Sequence, residues 1–370
     1  VMRLELEGAA DLAPGIQRRH QLADAEDQDV LVMNRRTTTH RRRDLDADAV
    51  MFVTQDAPVG FGGQRKDRMF HRAQIILGAA IGARFIGEDP IESRRQFDAQ
   101  MLAILNKATQ IESVEDIRLP LQSGTVFARH YHPAPNKKLP MILFYHGGGF
   151  VVGGLDTHDE VCRLIAKYAK VQVLSIDYPL APEHPYPEAI DAIFDVYQTL
   201  LVQGIKPKDI IISGDSCGAN LALALCLRLK QQPELMPSGL ILMSPYLDLT
   251  LTSESLRFNQ KHDALLSIEA LQAGINHYLP DGIQADDPRV SPLFDDLKGL
   301  PTTLVQVGSK EILLDDSKRF REKAEKAGVK VHFKLYTGMW HNFQMFNAWF
   351  PEAKQALADI ADFAHTLDQD

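Results

Sequence analysis

A chain of 370 residues with 45% hydrophobic side chains is long enough for one large domain with an added subdomain, or for two domains. Its formal net charge of −9 gives nucleic-acid binding no electrostatic support, and no apolar run approaches the length of a membrane span. Val1–Glu7 lacks the apolar core of a signal peptide, and Cys162, Cys217 and Cys226 show neither metal nor disulfide spacing, so a cytoplasmic protein with no metal or organic cofactor is expected.

Residues 1–70 mix Arg-rich and acidic pieces with little apolar periodicity, and are expected to be a poorly packed extension. The alternative is an additional cap or dimer arm. From His71 the text becomes helical, and a second amphipathic helix is expected over Ile91–Lys107, with Phe97, Met101, Leu102 and Leu105 on one face. Residues 112–122 and 124–132 look like two antiparallel strands. Met141–Tyr145 is an apolar run that enters the glycine loop Gly147-Gly148-Gly149. Asp159–Tyr168 is predicted helical, Val171–Ile176 a buried strand and Pro187–Gln203 a helix.

The central stretch is Ile210–Leu223. A β-branched run, Ile210–Ile212, leads into Gly214-x-Ser216-x-Gly218, and Leu221, Leu223 and Leu225 follow at spacings that suit a helix under a sheet. This is the pattern of a nucleophile elbow, in which a strained turn pushes the serine Oγ out of the sheet top. An ordinary serine in a glycine-bounded turn is the plain alternative. Gly239–Met243 is a further buried strand, and residues 250–290 interrupt the alternation with helical text at Ser267–His277. Thr303–Val307 and Val331–Tyr336 are the last two strands. Alternating strands and helices imply a mostly parallel, doubly wound sheet with helices on both faces, and ligands then bind at the carboxyl ends of the strands.

Three motifs taken together make the chain recognisable: His146–Phe150, the run Asp177-Tyr178-Pro179-Leu180-Ala181-Pro182-Glu183-His184-Pro185-Tyr186-Pro187, and Gly214–Gly218. Over about residues 75–367 the chain resembles the bacterial hormone-sensitive-lipase-like family of α/β-hydrolase carboxylesterases. The resemblance implies an α/β-hydrolase domain over 111–370 and cap helices over 71–110. It also implies a second cap piece near 250–290, inserted after the sixth strand. It assigns Ser216 as nucleophile and His341, after the last strand, as base, with His146 the weaker contender. It implies an oxyanion hole of Gly148, Gly149 and Cys217 N–H groups. Aligned on the family's acid loop, Glu311 takes the place of the commoner Asp, and Asp315 is the second candidate. Cys217 stands where the family commonly has Ala, and its N–H rather than its sulfur is expected to matter. Asp177, Glu183 and His184 are expected to support the glycine loop. Phe150, Tyr246, Met339, Trp340 and Phe343 are either acyl-pocket lining or plain core.

The activity implied is serine carboxylesterase action on small, short-to-medium acyl esters, with a homodimer through edge strand Val331–Tyr336. A lactonase, amidase or deacetylase would use the same residues. A non-catalytic small-molecule receptor on this scaffold is the reading from another class, and the presence of His341 weighs against it.

Overall fold

The strands form where the sequence carries uninterrupted β-branched and aliphatic runs. The computed structural model describes residues 86–104, 108–121 and 124–367. The extension expected over residues 1–70 and the helix expected from His71 lie outside the described residues. Strands β1 (Ser113–Leu121), β2 (Gly124–His132), β3 (Met141–Tyr145), β4 (Gln172–Asp177), β5 (Ile210–Asp215), β6 (Gly239–Met243), β7 (Thr303–Gly308) and β8 (Val331–Tyr336) make one eight-stranded sheet. Its order is β1-β2-β4-β3-β5-β6-β7-β8. β2 runs antiparallel to β1 and β4, and all pairs from β4 to β8 are parallel. Every residue of β3, β5, β6 and β7 is buried, as a parallel sheet covered on both faces requires.

One face is covered by α2 (Asp159–Ala169) and α8 (Pro351–Leu367), which share a core with Ile142, Phe144, Ile211, Ile241 and Leu304 from the strands. The opposite face carries α3 (Glu188–Val202) against α4 (Cys217–Leu229), and α7 (Leu314–Lys326) packs on β7 and β8. Helix α8 goes unnamed when the sequence is taken strand by strand. Its burial of Ala353, Ala356, Leu357, Ile360, Phe363 and Ala364 is nevertheless an ordinary helical stripe. Proline opens it, at the one helical position where a missing N–H costs nothing.

Two further pieces lie over the carboxyl ends of the strands. Helix α1 (Pro90–Ile104) buries Phe97 and Met101, one turn apart. Leu102, expected on the same face, is exposed, because five residues of helix rotate it well away from Phe97. The insertion after the sixth strand supplies α5 (Glu254–Phe258) and α6 (Ile268–Tyr278). Ser267 caps α6 by accepting the Ala270 N–H. Arg94 of α1 donates to the carbonyls of Val151 and Ala181 at 2.8 Å each and pairs with both oxygens of Glu183. His277 of α6 contacts the Gly87 carbonyl at 2.9 Å.

The chain crosses from β4 on one side of β3 to β5 on the other, and this topological switch opens the crevice where α/β folds bind ligands. The glycine loop follows β3, and the serine turn follows β5 beside it. The segment with Glu311 follows β7, and the one with His341 follows β8.

Close backbone approach sets the elbow. A Cβ on Gly214 would lie 2.4 Å from the Gly218 carbonyl carbon, and one on Gly218 would lie 2.0 Å from the Tyr145 oxygen. Gly218→Ala is therefore expected to destabilise the protein by about 1–3 kcal/mol through overpacking. Chemical denaturation measures this, and an unchanged midpoint would remove the close approach as a constraint.

Candidate active site

Ser216 ends the tight turn between β5 and α4 with φ 54° and ψ −121°, a conformation that costs a non-glycine residue about 1–3 kcal/mol. The surrounding backbone holds it there. Its N–H donates to the Met243 carbonyl at 2.9 Å. Its own carbonyl accepts from the N–H groups of Ala219, Asn220 and Tyr246. The side chain stands at the start of α4, where the free Cys217 N–H and the helix dipole favour negative charge.

The glycine loop lies against it. Gly148 and Gly149 have φ of 126° and 58°, and a Cβ on Gly148 would lie 2.0 Å from the Val152 oxygen. Gly148 O accepts the N–H groups of Val151 and Val152, which closes the loop. Gly147 N–H donates to Asp215 Oδ1 at 2.9 Å. His146, the weaker candidate for a base, has Nδ1 2.8 Å from the Gly147 carbonyl and stacks on Tyr178 at 4.3 Å between centroids. A carbonyl partner requires the proton on Nδ1. Burial pushes this imidazole down to about 3, so it is neutral at working pH.

The loop's support differs from the expectation. Tyr178 donates its hydroxyl to the His146 carbonyl at 2.6 Å, and Asp215 takes the Gly147 N–H. Glu183 instead reaches Arg94 of α1, and His184 pairs with Glu188 at the start of α3. The Cys217 sulfur is also engaged. Phe150 N–H points to it at 3.2 Å, and the Gly149 N–H and the Tyr178 hydroxyl face it as well.

His341 Nδ1 and Glu311 Oε2 are 3.2 Å apart, with both residues buried. Glu311 Oε1 accepts the Ser244 hydroxyl at 2.8 Å and the Gly308 N–H at 2.5 Å. Burial pushes the Glu311 carboxyl above the ordinary range, partly offset by the hydrogen bond from His341. Burial alone would lower His341; the Glu311 hydrogen bond and charge, then Asp263 and Asp215, raise it instead. One proton satisfies both tendencies. The three donors around Glu311 keep that proton on the imidazole, since they favour a carboxylate. Asp315, the second candidate acid, is elsewhere: its Oδ2 accepts the Ser255 N–H at 2.8 Å, and it lies 3.5 Å from Lys318.

Three polar residues at the site escape motif reading. Asp215 accepts from Gly147 N–H and Asn342 Nδ2 and lies 3.5 Å from His158. Burial opposes its charge, but His158, His146 and His341 together bring its carboxyl below the ordinary value. Ser244 joins Glu311 to the Asn342 N–H, which it accepts at 3.2 Å. Asp263, in the insertion, accepts the Ile312 N–H at 2.9 Å and the His341 N–H at 3.4 Å. Asp215 was legible as the neighbour of Ser216. Ser244 and Asp263 carried no local signal.

Ser216, His341, Gly147, Gly148 and Gly149 line one cavity. Its remaining walls are mainly apolar: Phe97 and Met101 from α1, Leu265, Leu266 and Leu271 from the insertion, and Met345. Phe150, Tyr246, Met339, Trp340 and Phe343 are buried outside this lining, so they are core. Among the described residues, no helix is long and apolar enough to cross a membrane, and no cluster of His, Cys, Asp and Glu is arranged to hold a metal ion.

The chain is similar to several known proteins. A family described by the alpha/beta hydrolase fold matches residues 142–345. An esterase of Acinetobacter venetianus is 83% identical over 230 residues, which are 62% of this chain and 76% of that protein. A carboxylic ester hydrolase of Mycobacterium tuberculosis is 33% identical over 272 residues, covering 70% of this chain and 71% of its own. A solved esterase structure from the bacterial hormone-sensitive lipase family is similar with a TM-score of 0.71 at 31% identity, over 80% of this chain and 97% of that one.

The thiols are expected to be inert in the native protein. Burial pushes Cys217 up to about 12 and raises Cys162 and Cys226 as well. Thiolate is the reactive form, so iodoacetamide at pH 8 should leave all three unmodified until denaturant is added. Mass spectrometry after timed incubation reads this directly. Labelling of Cys217 at the rate of a free thiol would contradict its burial.

Proposed function

The chain belongs to the bacterial hormone-sensitive-lipase-like carboxylesterases of the α/β-hydrolase fold, and from that premise we propose which of its residues hydrolyse the ester. Ser216 is the nucleophile, His341 the general base and Glu311 the acid that orients it. The observation that carries this reading is one cavity lined by both Ser216 and His341, with His341 Nδ1 3.2 Å from Glu311 Oε2.

The steps follow from those positions. His341 Nε2 takes the Oγ proton as Ser216 attacks the ester carbonyl. Glu311 holds Nδ1–H and stabilises the imidazolium that forms. The N–H groups of Gly148, Gly149 and Cys217 receive the oxyanion; each such donor is worth about 10²–10³ in rate. His341 then protonates the leaving alcohol, and water returns the acyl-enzyme to free Ser216 by the same base.

The substrate class follows from the lining. The acyl chain meets Phe97, Met101, Leu265 and Leu271, and none of these carries a charge. Neutral esters of short to medium acyl length suit that apolar lining. For assembly, we read β8 as a homodimer edge, since it ends the sheet order and Leu335 is exposed; a monomer in gel filtration would remove that part.

Hydrolysis of p-nitrophenyl esters tests the scheme. Each added methylene should raise kcat/KM about fourfold, from about 0.8 kcal/mol of burial, until the cavity is full, and longer chains should then lose rate. Ser216→Ala should lower kcat by about 10⁴–10⁶, while Asp315→Ala should keep most of the activity. An inert Asp315→Ala with an active Glu311→Ala would reverse the assignment of the acid.

The pH profile has a definite sign. Neutral imidazole is the base, and His341 is raised above 6.5. Activity should therefore be full at alkaline pH and fall as pH drops through a value above 6.5. Glu311→Gln removes the main raising partner, so the acid limb should move to lower pH while the plateau falls by about 10⁴.

A further inference from the structure

The insertion after β6 is stapled to the loop after β7 by polar groups that the hydrolytic scheme does not use. Ser255 Oγ donates to the Ile312 carbonyl at 2.7 Å and accepts the Asp315 N–H at 3.1 Å. Asn259 Nδ2 donates to the carbonyls of Ser309 and Glu311 at 3.2 and 2.8 Å. Asp263 completes the series and differs from the other two, because it carries charge and reaches a second loop. Its Oδ2 accepts the Ile312 N–H at 2.9 Å. Its Oδ1 accepts the N–H groups of Leu265, Leu266 and His341 at 3.1, 3.3 and 3.4 Å.

One buried carboxylate thus touches three segments at once: the cavity-lining stretch Leu265–Leu266, the loop with Glu311, and the backbone of the base. We propose that Asp263 is a positioning residue for ester hydrolysis, holding His341 in register with Glu311 and adding a second negative charge beside its imidazole. The proposal rests on His341 being the base.

The carboxylate form is the one this environment accommodates. Both oxygens face N–H donors, and an acid proton would have no acceptor among those four contacts. Burial holds its carboxyl above the ordinary value, and the His341 charge and backbone donors offset only part of that rise. The charged groups facing His341 are Glu311 from the loop after β7, Asp263 from the insertion and Asp215 from the end of β5, with His158 behind Asp215. Glu311 contacts the ring directly, whereas Asp263 contacts the backbone and acts on the ring through space.

The coupling also runs outward. Any shift of Leu265–Leu266 against the acyl chain pulls on the oxygen that holds His341. Cavity wall and base are then one mechanical unit, although the wall belongs to the insertion and the base to the loop after β8.

Asp263→Asn keeps the volume, removes the charge and leaves one N–H without its acceptor. On p-nitrophenyl butyrate the expected result is an acid limb of kcat/KM moved down by about half a pH unit or more. The plateau kcat should fall at least tenfold. Asn259→Ala loosens the same staple without touching charge, and should lower the melting temperature while leaving the limb where wild type has it. An Asp263→Asn protein that melts earlier with an unmoved limb would make the residue merely structural and overturn the proposal.

Should Asp263→Asn fail to fold, Glu311→Gln supplies an independent reading. With the Asp263 charge still beside it, the His341 ring followed by NMR should stay protonated to higher pH than the buried His146 ring in the same protein. A His341 ring that loses its proton at as low a pH as His146 would mean that Asp263 supplies no useful charge and would overturn the proposal. Ser216→Ala separates this from the function itself. If that variant keeps wild-type turnover, the hydrolytic scheme fails. If it is inert while wild-type and Asp263→Asn limbs coincide, only the Asp263 proposal fails.

Discussion

The structure depends on a steric constraint: three backbone segments must pass within contact distance of one another at the carboxyl ends of β3 and β5. Gly214 and Gly218 lie where any Cβ would enter a carbonyl group, and Gly218 abuts Tyr145 just before the glycine loop begins. That packing forces the chain to reverse at Ser216 in a conformation an L-residue avoids. The same packing offsets the strain, because the Ser216 carbonyl gains three N–H partners and its N–H gains one. Strand, turn, helix and glycine loop therefore form as one unit.

Loops outside this unit lack a ladder of their own, so their backbone groups need other partners. Buried carboxylates meet that need. Asp215 takes the Gly147 N–H and the Asn342 side chain, Glu311 takes the Gly308 N–H, and Asp263 takes those of Ile312 and His341. Each acid is desolvated, which raises its pKa unless donors or a cation oppose the effect. His341 stands among all three, and their combined influence outweighs the burial, so its shift is upward. Its neighbour His146 shows the alternative: a ring with a carbonyl partner and little opposing charge, pushed down to about 3. Two buried histidines in adjacent loops thus have opposite shifts because their partners differ.

The pieces over the strand ends are attached by polar contacts and lined by apolar ones. Arg94 anchors α1 to the carbonyls of Val151 and Ala181 and to Glu183, and α6 stacks Tyr278 on Phe150 at 3.8 Å. Their inner surfaces, Phe97, Met101, Leu265 and Leu271, face the cavity. The apolar lining of the cavity thus comes from elements outside the sheet, while the groups assigned to the chemistry sit on loops that the sheet spaces.

Much of this was written in local sequence. Each strand with uninterrupted aliphatic text and each amphipathic helix follows from side-chain periodicity. The glycine loop follows from the few residues able to adopt φ values of 58° and 126°, and the elbow from glycines where backbones nearly touch. Chain order placed His341 after the last strand, and alignment on Leu313 and Asp315 pointed to Glu311. What only tertiary structure decided are contacts between residues far apart in the chain. Asp263 looks like solvated polar text until folding brings it 78 positions along the chain to the His341 N–H. The Cys217 sulfur looks dispensable until it meets the Phe150 N–H from 67 residues away. Five large residues that text places near strand ends turn out to be core, while Met345 lines the cavity, because side-chain direction in a loop has no period to read. Periodicity encodes which face a residue presents within its own element; the partner it meets there is set by how elements pack.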